Sequence, residues 1–200
     1  MNKTLEYYNS HAKEYAASTV NTDMSHLYAE FEKYIPVGGS VLDLGCGSGR
    51  DSKHFLETGY TVEAIDGSEE LCKEASNLLG IEVKHKLFEE IDYVDAFDGI
   101  WACASLLHVK REDIYQLVVR ILKGLKSNGV FFTCFKYGDS EYTDDKGRYF
   151  NCYTEETVKE LFRDTNIIKI WTTEDAVGNR QQKWVNVMVE KSNLYGKLHL

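Results

Sequence analysis

The sequence predicts an α/β domain with a doubly wound, seven-stranded sheet, mostly parallel, whose last strand runs antiparallel. Three observations predict it. From residue 41 onward, short apolar runs with strand character alternate with segments of helical apolar spacing. Repeated strand–helix units of this kind make parallel sheets with right-handed crossovers. The first strand ends in a glycine-rich turn, Gly45-Cys46-Gly47-Ser48-Gly49. The last two apolar runs, 167–173 and 184–190, are joined without a helix, which implies a terminal antiparallel hairpin.

The elements follow in chain order. Residues 2–34 carry two amphipathic helical patterns, with Leu5, Tyr8, Ala12 and Tyr15 and then Leu27, Phe31 and Tyr34 on one side. Pro36, the sole proline, closes this section. Val41–Leu44 is a short buried strand, and residues 50–58 form a helix opening on Arg50 and Asp51. Thr61–Ile65 is the second strand. Ser68 caps the next helix, with Glu69 and Glu70 favourably placed in its first turn and Leu71, Ala75, Leu78 and Leu79 as its apolar stripe. The third strand spans Glu82–Leu87 and the fourth Phe97–Cys103. Ile114, Leu117, Val118, Ile121, Leu122 and Leu125 mark a long helix that the Asn128-Gly129 pair should end. Val130–Phe135 is a continuous apolar fifth strand, as expected where both sheet faces are covered. Thr154 caps a last helix bearing Val158, Leu161 and Phe162, and the two terminal strands follow.

Bulk properties narrow the class. Two hundred residues suit one domain with a continuous core. A formal charge of −9 argues against a broad nucleic-acid footprint, which needs a basic face. There is no apolar segment of membrane-spanning length and no secretory leader pattern at the N-terminus. Five cysteines (46, 72, 103, 134 and 152) are scattered without C-x-x-C spacing, which reads as reduced thiols and no zinc framework. A cytoplasmic protein, monomeric or homodimeric, is expected. The domain division is an N-terminal helical segment over 1–35, the α/β domain over 36–191 and a tail over 192–200.

The chemistry concentrates at the ends of the strands, where open α/β sheets bind ligands. Glycines at alternate positions let backbone N–H groups approach a ligand closely and aim a helix N-terminus at it. The order G-x-G-x-G followed by Arg50 differs from the G-x-G-x-x-G of dinucleotide-binding turns. With Asp66 closing the second strand, and with Trp101-Ala102-Cys103-Ala104-Ser105-Leu106-Leu107-His108-Val109 after the fourth, it resembles the class I S-adenosylmethionine-dependent methyltransferases. The resemblance covers residues 36–191 and implies a Rossmann-like, three-layer α/β/α fold. Gly-Arg-Asp-Ser at 49–52 and Gly-Arg-Tyr-Phe-Asn at 147–151 are most similar to the small-molecule or tellurite-resistance branch.

The resemblance implies S-adenosylmethionine as cofactor and a role for each matching position. Gly45, Cys46, Gly47 and Gly49 would line its methionine part, with Asp43 orienting the turn. Asp66 would accept the ribose hydroxyls, and Gly67 would permit close approach. Leu87 and Phe88 stand where many members carry an Asp and a small residue, so only an apolar flank for the adenine carries over. Ala102 and Cys103 would lie beside the methionine moiety, with Leu106 packing near it. Tyr8 and Tyr15 resemble the tyrosines of a closing N-terminal lid, whose hydroxyls, with Arg50, would meet the methionine carboxylate. Core packing is the alternative for both tyrosines and for Phe88.

His108 has a side chain that titrates near neutrality and so suggests a general base; a histidine hydrogen-bonded within its loop is the alternative. The long segment after strand five brings Lys136, Arg148 and Tyr149, and the loop before the last strand brings Arg180. The three cations converge over the acceptor site if the sheet is ordered as expected, which would suit an anionic small-molecule acceptor. Pairing with Asp139, Glu141, Asp144 and Asp145 of the same segment is the alternative. A nucleic-acid or protein methyltransferase would share the cofactor site, but Cys103-Ala104-Ser105-Leu106 is not the Asn/Asp-Pro-Pro-Tyr motif of many such enzymes. A nicotinamide oxidoreductase conflicts with the glycine spacing. A non-catalytic S-adenosylmethionine-binding protein would carry the same motifs.

Overall fold

The computed structural model describes residues 2–176 and 181–191. Three short helices, α1 (Lys3–Ser10), α2 (Ala12–Thr19) and α3 (Ser25–Phe31), precede the sheet. Then follow β1 (Ser40–Leu44), α4 (Arg50–Glu57), β2 (Thr61–Asp66), α5 (Glu69–Leu79), β3 (Lys84–His85), β4 (Phe97–Ala102), α6 (Arg111–Gly124) and β5 (Leu125–Lys136). A small hairpin of β6 (Glu141–Thr143) and β7 (Tyr149–Asn151), then α7 (Glu155–Leu161), β8 (Asn166–Glu174) and β9 (Lys183–Glu190), complete the described chain.

The seven-stranded sheet has the order β3-β2-β1-β4-β5-β9-β8, with β9 antiparallel to both its neighbours and the other pairings parallel. The strand order reverses between β1 and β4, which places a crevice beyond their carboxyl ends. The sheet separates two cores. Leu42, Leu44, Ile100, Phe131, Phe135 and Val187 meet α6 and α7 on one face. Leu27, Phe31, Phe55, Trp101, Phe132 and Met188 pack on the other, with α3 and α4. Trp101 stacks on Phe132 at 4.1 Å, and its indole Nε1 donates to Asp51 Oδ2 at 2.8 Å.

The caps at Ser68 and Thr154 form as the sequence predicts, each accepting from a backbone N–H of its first helical turn. Four element boundaries differ. The stripe Leu5–Tyr15 is broken into α1 and α2 at His11, whose Nδ1 and backbone N both compete for the Tyr7 carbonyl. The third strand shrinks to Lys84 and His85, an exposed edge pair. α6 ends at Gly124 rather than at Asn128. Leu125, the last residue of the helical stripe, instead opens β5, buried opposite Phe97. Asn128, at φ +63°, lies within an irregularity of that strand, whose next pairing is Gly99 with Val130. The long segment after β5 carries the β6–β7 hairpin, which the sequence analysis does not anticipate. The expected tail over 192–200 lies outside the described residues.

Candidate functional site

The glycine turn and the turn after β4 sit backbone to backbone. Gly45 and Gly47 take φ of +77° and +55°, and a Cβ on Gly45 would lie 2.5 Å from Ser105 Cβ. Ser105 Oγ donates to the Leu44 carbonyl at 2.7 Å, holding the two turns together. Asp66 fastens the turn after β2 to the glycine turn. Its Oδ2 accepts from Gly47 N at 2.9 Å and its Oδ1 from Ser68 N at 2.8 Å. Burial raises its pKa, while these backbone N–H bonds oppose the shift. Each oxygen keeps a second lone pair.

A cavity of about 570 Å³ opens beside these groups. Gly45, Gly47, Asp66 and Gly67 form one wall and Leu87 and Phe88 another, while Leu5, Tyr8 and Tyr15 from α1 and α2 also line it. A second cavity, of about 550 Å³, lies over β4, β5 and β9. Its floor follows from strand register. Cys134 pairs with Asn186, one step on from the Ala102–Thr133 pairing that sets Cys103 beside Cys134. Lys136 pairs with Trp184, and Trp184 with Thr173. Side chains two apart on a strand share a face, so both rows line this cavity. Tyr8, Tyr15, Ala104 and His108 line both cavities. Ala104 takes φ +53°, an uncommon conformation for a residue with a Cβ, where the chain turns from β4 toward His108.

His108 is fixed from both ring nitrogens. Nδ1 lies 2.7 Å from the Tyr149 carbonyl, which can only accept, so Nδ1 carries the proton. Nε2 then accepts from the Tyr8 hydroxyl at 2.9 Å. Burial, reinforced by Arg148 and Lys136, lowers the His108 pKa to about 4. Burial also pushes the Tyr8 hydroxyl up to about 12. The imidazole is therefore neutral, with its lone pair occupied. Arg50 is held equally firmly. Nε and Nη2 donate to the two oxygens of Asp51 at 2.6 and 2.9 Å. Asp51 also accepts from Tyr28 and Trp101, and sits in the first turn of α4, where the helix dipole favours a carboxylate. Burial alone would raise the Asp51 pKa, but Arg50 and these donors hold it below the usual range.

Of the positions singled out in the sequence, Tyr8, Tyr15, Gly45, Gly47, Asp66, Gly67, Leu87 and Phe88 line the first cavity. Arg50 and Cys103 line the second cavity instead, with Lys136 and Arg148. Five residues expected beside a cofactor line neither. Asp43 is buried, accepts from Ser52 Oγ at 2.6 Å, and so ties β1 to α4. Cys46 packs with Ala64, Cys72 and Ala75. A Cβ on Gly49 would meet Ala75 of α5 at 3.1 Å, so Gly49 serves helix packing. Ala102 and Leu106 are fully buried in the core.

Tyr149 lines neither cavity. Its hydroxyl bonds Glu141, and its carbonyl orients His108. Arg148 is bonded through Nε and Nη2 to Asp144 Oδ2 at 2.9 and 2.7 Å, the internal pairing. Lys136 Nζ lies 3.6 Å over the Phe150 ring and donates to Tyr142. Arg180 lies outside the described residues. Ala104, Ser105 and Asn186 were missed, because a small residue or a strand amide carries no pattern until the register is known.

The family described as "Methyltransferase domain" matches residues 41–129. An uncharacterized methyltransferase of Staphylococcus carnosus is 26% identical over 156 residues, covering 74% of this chain and 75% of that protein. A ubiquinone biosynthesis O-methyltransferase of Rickettsia conorii is 29% identical over 121 residues, and there the chain spans 41% of the relative's length. The fold is similar to that of the Burkholderia thailandensis 1,6-didemethyltoxoflavin-N1-methyltransferase, solved with its namesake acceptor and S-adenosylhomocysteine. The TM-score is 0.76 at 21% identity, covering 94% of this chain and 85% of that one. The chain's glycine turn, its sheet order and these relatives together support a class I S-adenosylmethionine-dependent methyltransferase.

Proposed function

We propose that the protein methylates a small molecule held in the second cavity, with S-adenosylmethionine held in the first. The observation that carries this is the junction: two cavities of about 570 and 550 Å³ share the wall formed by Tyr8, Tyr15, Ala104 and His108. When bound, S-adenosylmethionine supplies an electrophilic sulfonium methyl group.

The residues of the first cavity suit that cofactor. Gly45 and Gly47 line that cavity with the turn's backbone, their Cβ positions facing Ser105 and Tyr15. The free lone pairs of Asp66 suit ribose hydroxyls. Leu5, Leu87 and Phe88 offer apolar surface to an adenine. Arg50, paired with Asp51, brings its remaining guanidinium N–H donors but no net charge to the edge of the second cavity, where a cofactor carboxylate would meet them.

The protein's contribution is to position the reactants and to exclude water. Tyr8 and Tyr15, on helices α1 and α2, act as a lid over both cavities. His108 holds that lid through Tyr8 and does no base chemistry, because its lone pair is occupied. Arg148 is neutralised by Asp144, which weakens the case for an anionic acceptor.

A small molecule is favoured over a nucleic acid by the net charge of −9, and a cavity of about 550 Å³ suits one. The similar Burkholderia enzyme also binds a small acceptor. Among the described residues no helix is long and apolar enough to cross a membrane, and the five cysteines are free, which suits the cytoplasm. Release of S-adenosylhomocysteine across a panel of small acceptors, proteins and transfer RNA tests the proposal. Turnover confined to small molecules is expected; turnover of protein or RNA alone would overturn it.

A further inference from the structure

Two thiols face each other at the second cavity, next to the wall that it shares with the first. Ala102 pairs with Thr133, so Cys103, the first residue beyond β4, follows beside Cys134 of β5. Their Sγ atoms lie 3.8 Å apart, and both residues line the second cavity. Cys134 is buried and Cys103 partly exposed, so Cys103 is the one a small solute meets first.

The geometry suits a covalent link. A disulfide joins Cα atoms roughly 4.4–6.8 Å apart, and neighbouring strands run about 4.8 Å apart, so the two backbones already stand at a bonding separation. The sulfurs need to close to about 2.05 Å, a movement that side-chain rotation and a small backbone shift supply. Cys103 is placed for such a shift, because the β4 register ends at Ala102 and the chain turns away at Ala104, φ +53°. Each sulfur also has one N–H donor. Arg50 Nη2 lies 3.8 Å from Cys103 Sγ, and Ala104 N donates to Cys134 Sγ at 3.1 Å. Such donors favour a thiolate, the form that reacts. At Cys103 the hydrogen bond with Cys134 and burial outweigh Arg50 and hold the pKa well above the usual thiol range. The dithiol is therefore the resting form, and closing it takes a reactive oxidant.

We propose that Cys103 and Cys134 are an oxidation site: a peroxide small enough to enter the second cavity converts them to a disulfide that loosens the wall between the cavities. The Cys103 sulfur gives up its proton and attacks a peroxide oxygen. The O–O bond breaks, leaving a sulfenic acid on Cys103 and a hydroxide that takes up the released proton as water. The Cys134 sulfur then attacks the Cys103 sulfur, and its own proton leaves with the expelled hydroxyl as a second water. Two thiols lose two electrons, and one hydrogen peroxide gains them. Bonding draws Cys134 Sγ off the Ala104 N–H and Cys103 Sγ off Arg50, and Ala104 lines both cavities. The effect on the wall is read through the cofactor and so rests on the assignment of the first cavity; the link itself does not.

In the experiment the wild-type protein is treated with hydrogen peroxide, its remaining thiols are blocked, and its peptides are mapped by mass spectrometry. A Cys103–Cys134 link that dithiothreitol reverses is expected. Calorimetry with S-adenosylhomocysteine before oxidation, after it and after re-reduction should show affinity falling about five-fold, as for one lost net hydrogen bond, and then recovering. No link between these two cysteines, or a link that leaves the affinity unchanged, overturns the proposal. Cys103→Ser should form no link and keep its own affinity through the treatment, whereas Cys152→Ser, at a residue lining neither cavity, should still form the link. Mapping of the wild type keeps the test decisive if Cys103→Ser does not fold. A reduced protein that binds no S-adenosylhomocysteine defeats the assignment of the first cavity, while the presence or absence of the link still decides the oxidation site.

Discussion

Replacing His108 by Gln tests whether this residue is a structural pin or a base. The folded protein holds the imidazole neutral with a pKa of about 4, against 6.5 when exposed. Because the folded value is the lower one, the unfolded chain binds the proton first as the pH falls. Stability is therefore fully retained above pH of about 6.5, lost progressively below it, and level again below about 4. The difference of about 2.5 pKa units corresponds to roughly 3 kcal/mol over the whole window, of which about 2 kcal/mol falls between pH 7 and 5. In His108→Gln, Oε1 can still accept from Tyr8, but nothing titrates. Urea unfolding of both proteins at pH 7 and 5 should show a wild-type loss larger by about 2 kcal/mol. On activity, the variant should lose less than about ten-fold in kcat, whereas removing a general base costs on the order of a hundred-fold or more. Parallel pH dependences of stability, or an imidazole titrating near 6.5 by NMR, would refute the reasoning.

Two other perturbations separate close alternatives. Gly45→Ala must place a Cβ 2.5 Å from Ser105 Cβ at φ +77°, whereas Gly80→Ala, at φ +68°, meets nothing within 4 Å. The first should cost roughly 2–5 kcal/mol in denaturant unfolding and the second about 1–2 kcal/mol, so equal losses would show that the two turns are not in contact. Arg148 and Asp144 should couple by about 1 kcal/mol in a double-mutant cycle of stability, with Arg148→Ala and Asp144→Ala changing the acceptor KM alike. A KM rise confined to Arg148→Ala would restore a direct contact between Arg148 and an anionic acceptor.

The sheet was legible because each of its central strands is an apolar run between turn signals, and because Gly45, Gly47 and Asp66 sit at strand ends. The helix caps at Ser68 and Thr154 were legible for the same reason: one side chain and its spacing carry the whole signal. What escaped depends on pairing. Leu125 fits a helical stripe and a buried strand equally well, and the partner Phe97 decides it. β6 and β7 have three residues each, too few to show a period. The site divided along the same line. Gly45, Gly47 and Asp66 line the first cavity, whereas Cys46, Gly49, Ala102 and Leu106 pack in the interior, because the face a strand or turn residue presents depends on neighbours far away in sequence. Asn186 became visible only once β9 was seen to lie between β5 and β8.

The central claim is that the cavity bounded by the glycine turn and Asp66 holds S-adenosylmethionine. Isothermal titration of S-adenosylmethionine into the wild-type protein and into Asp66→Ala tests it most directly. One site per chain is expected in the wild type. The variant, still folded by circular dichroism, should bind about ten-fold or more weakly, as expected for the loss of charge-assisted hydrogen bonds. Absence of binding by the wild type, or equal affinity in Asp66→Ala, would contradict the claim.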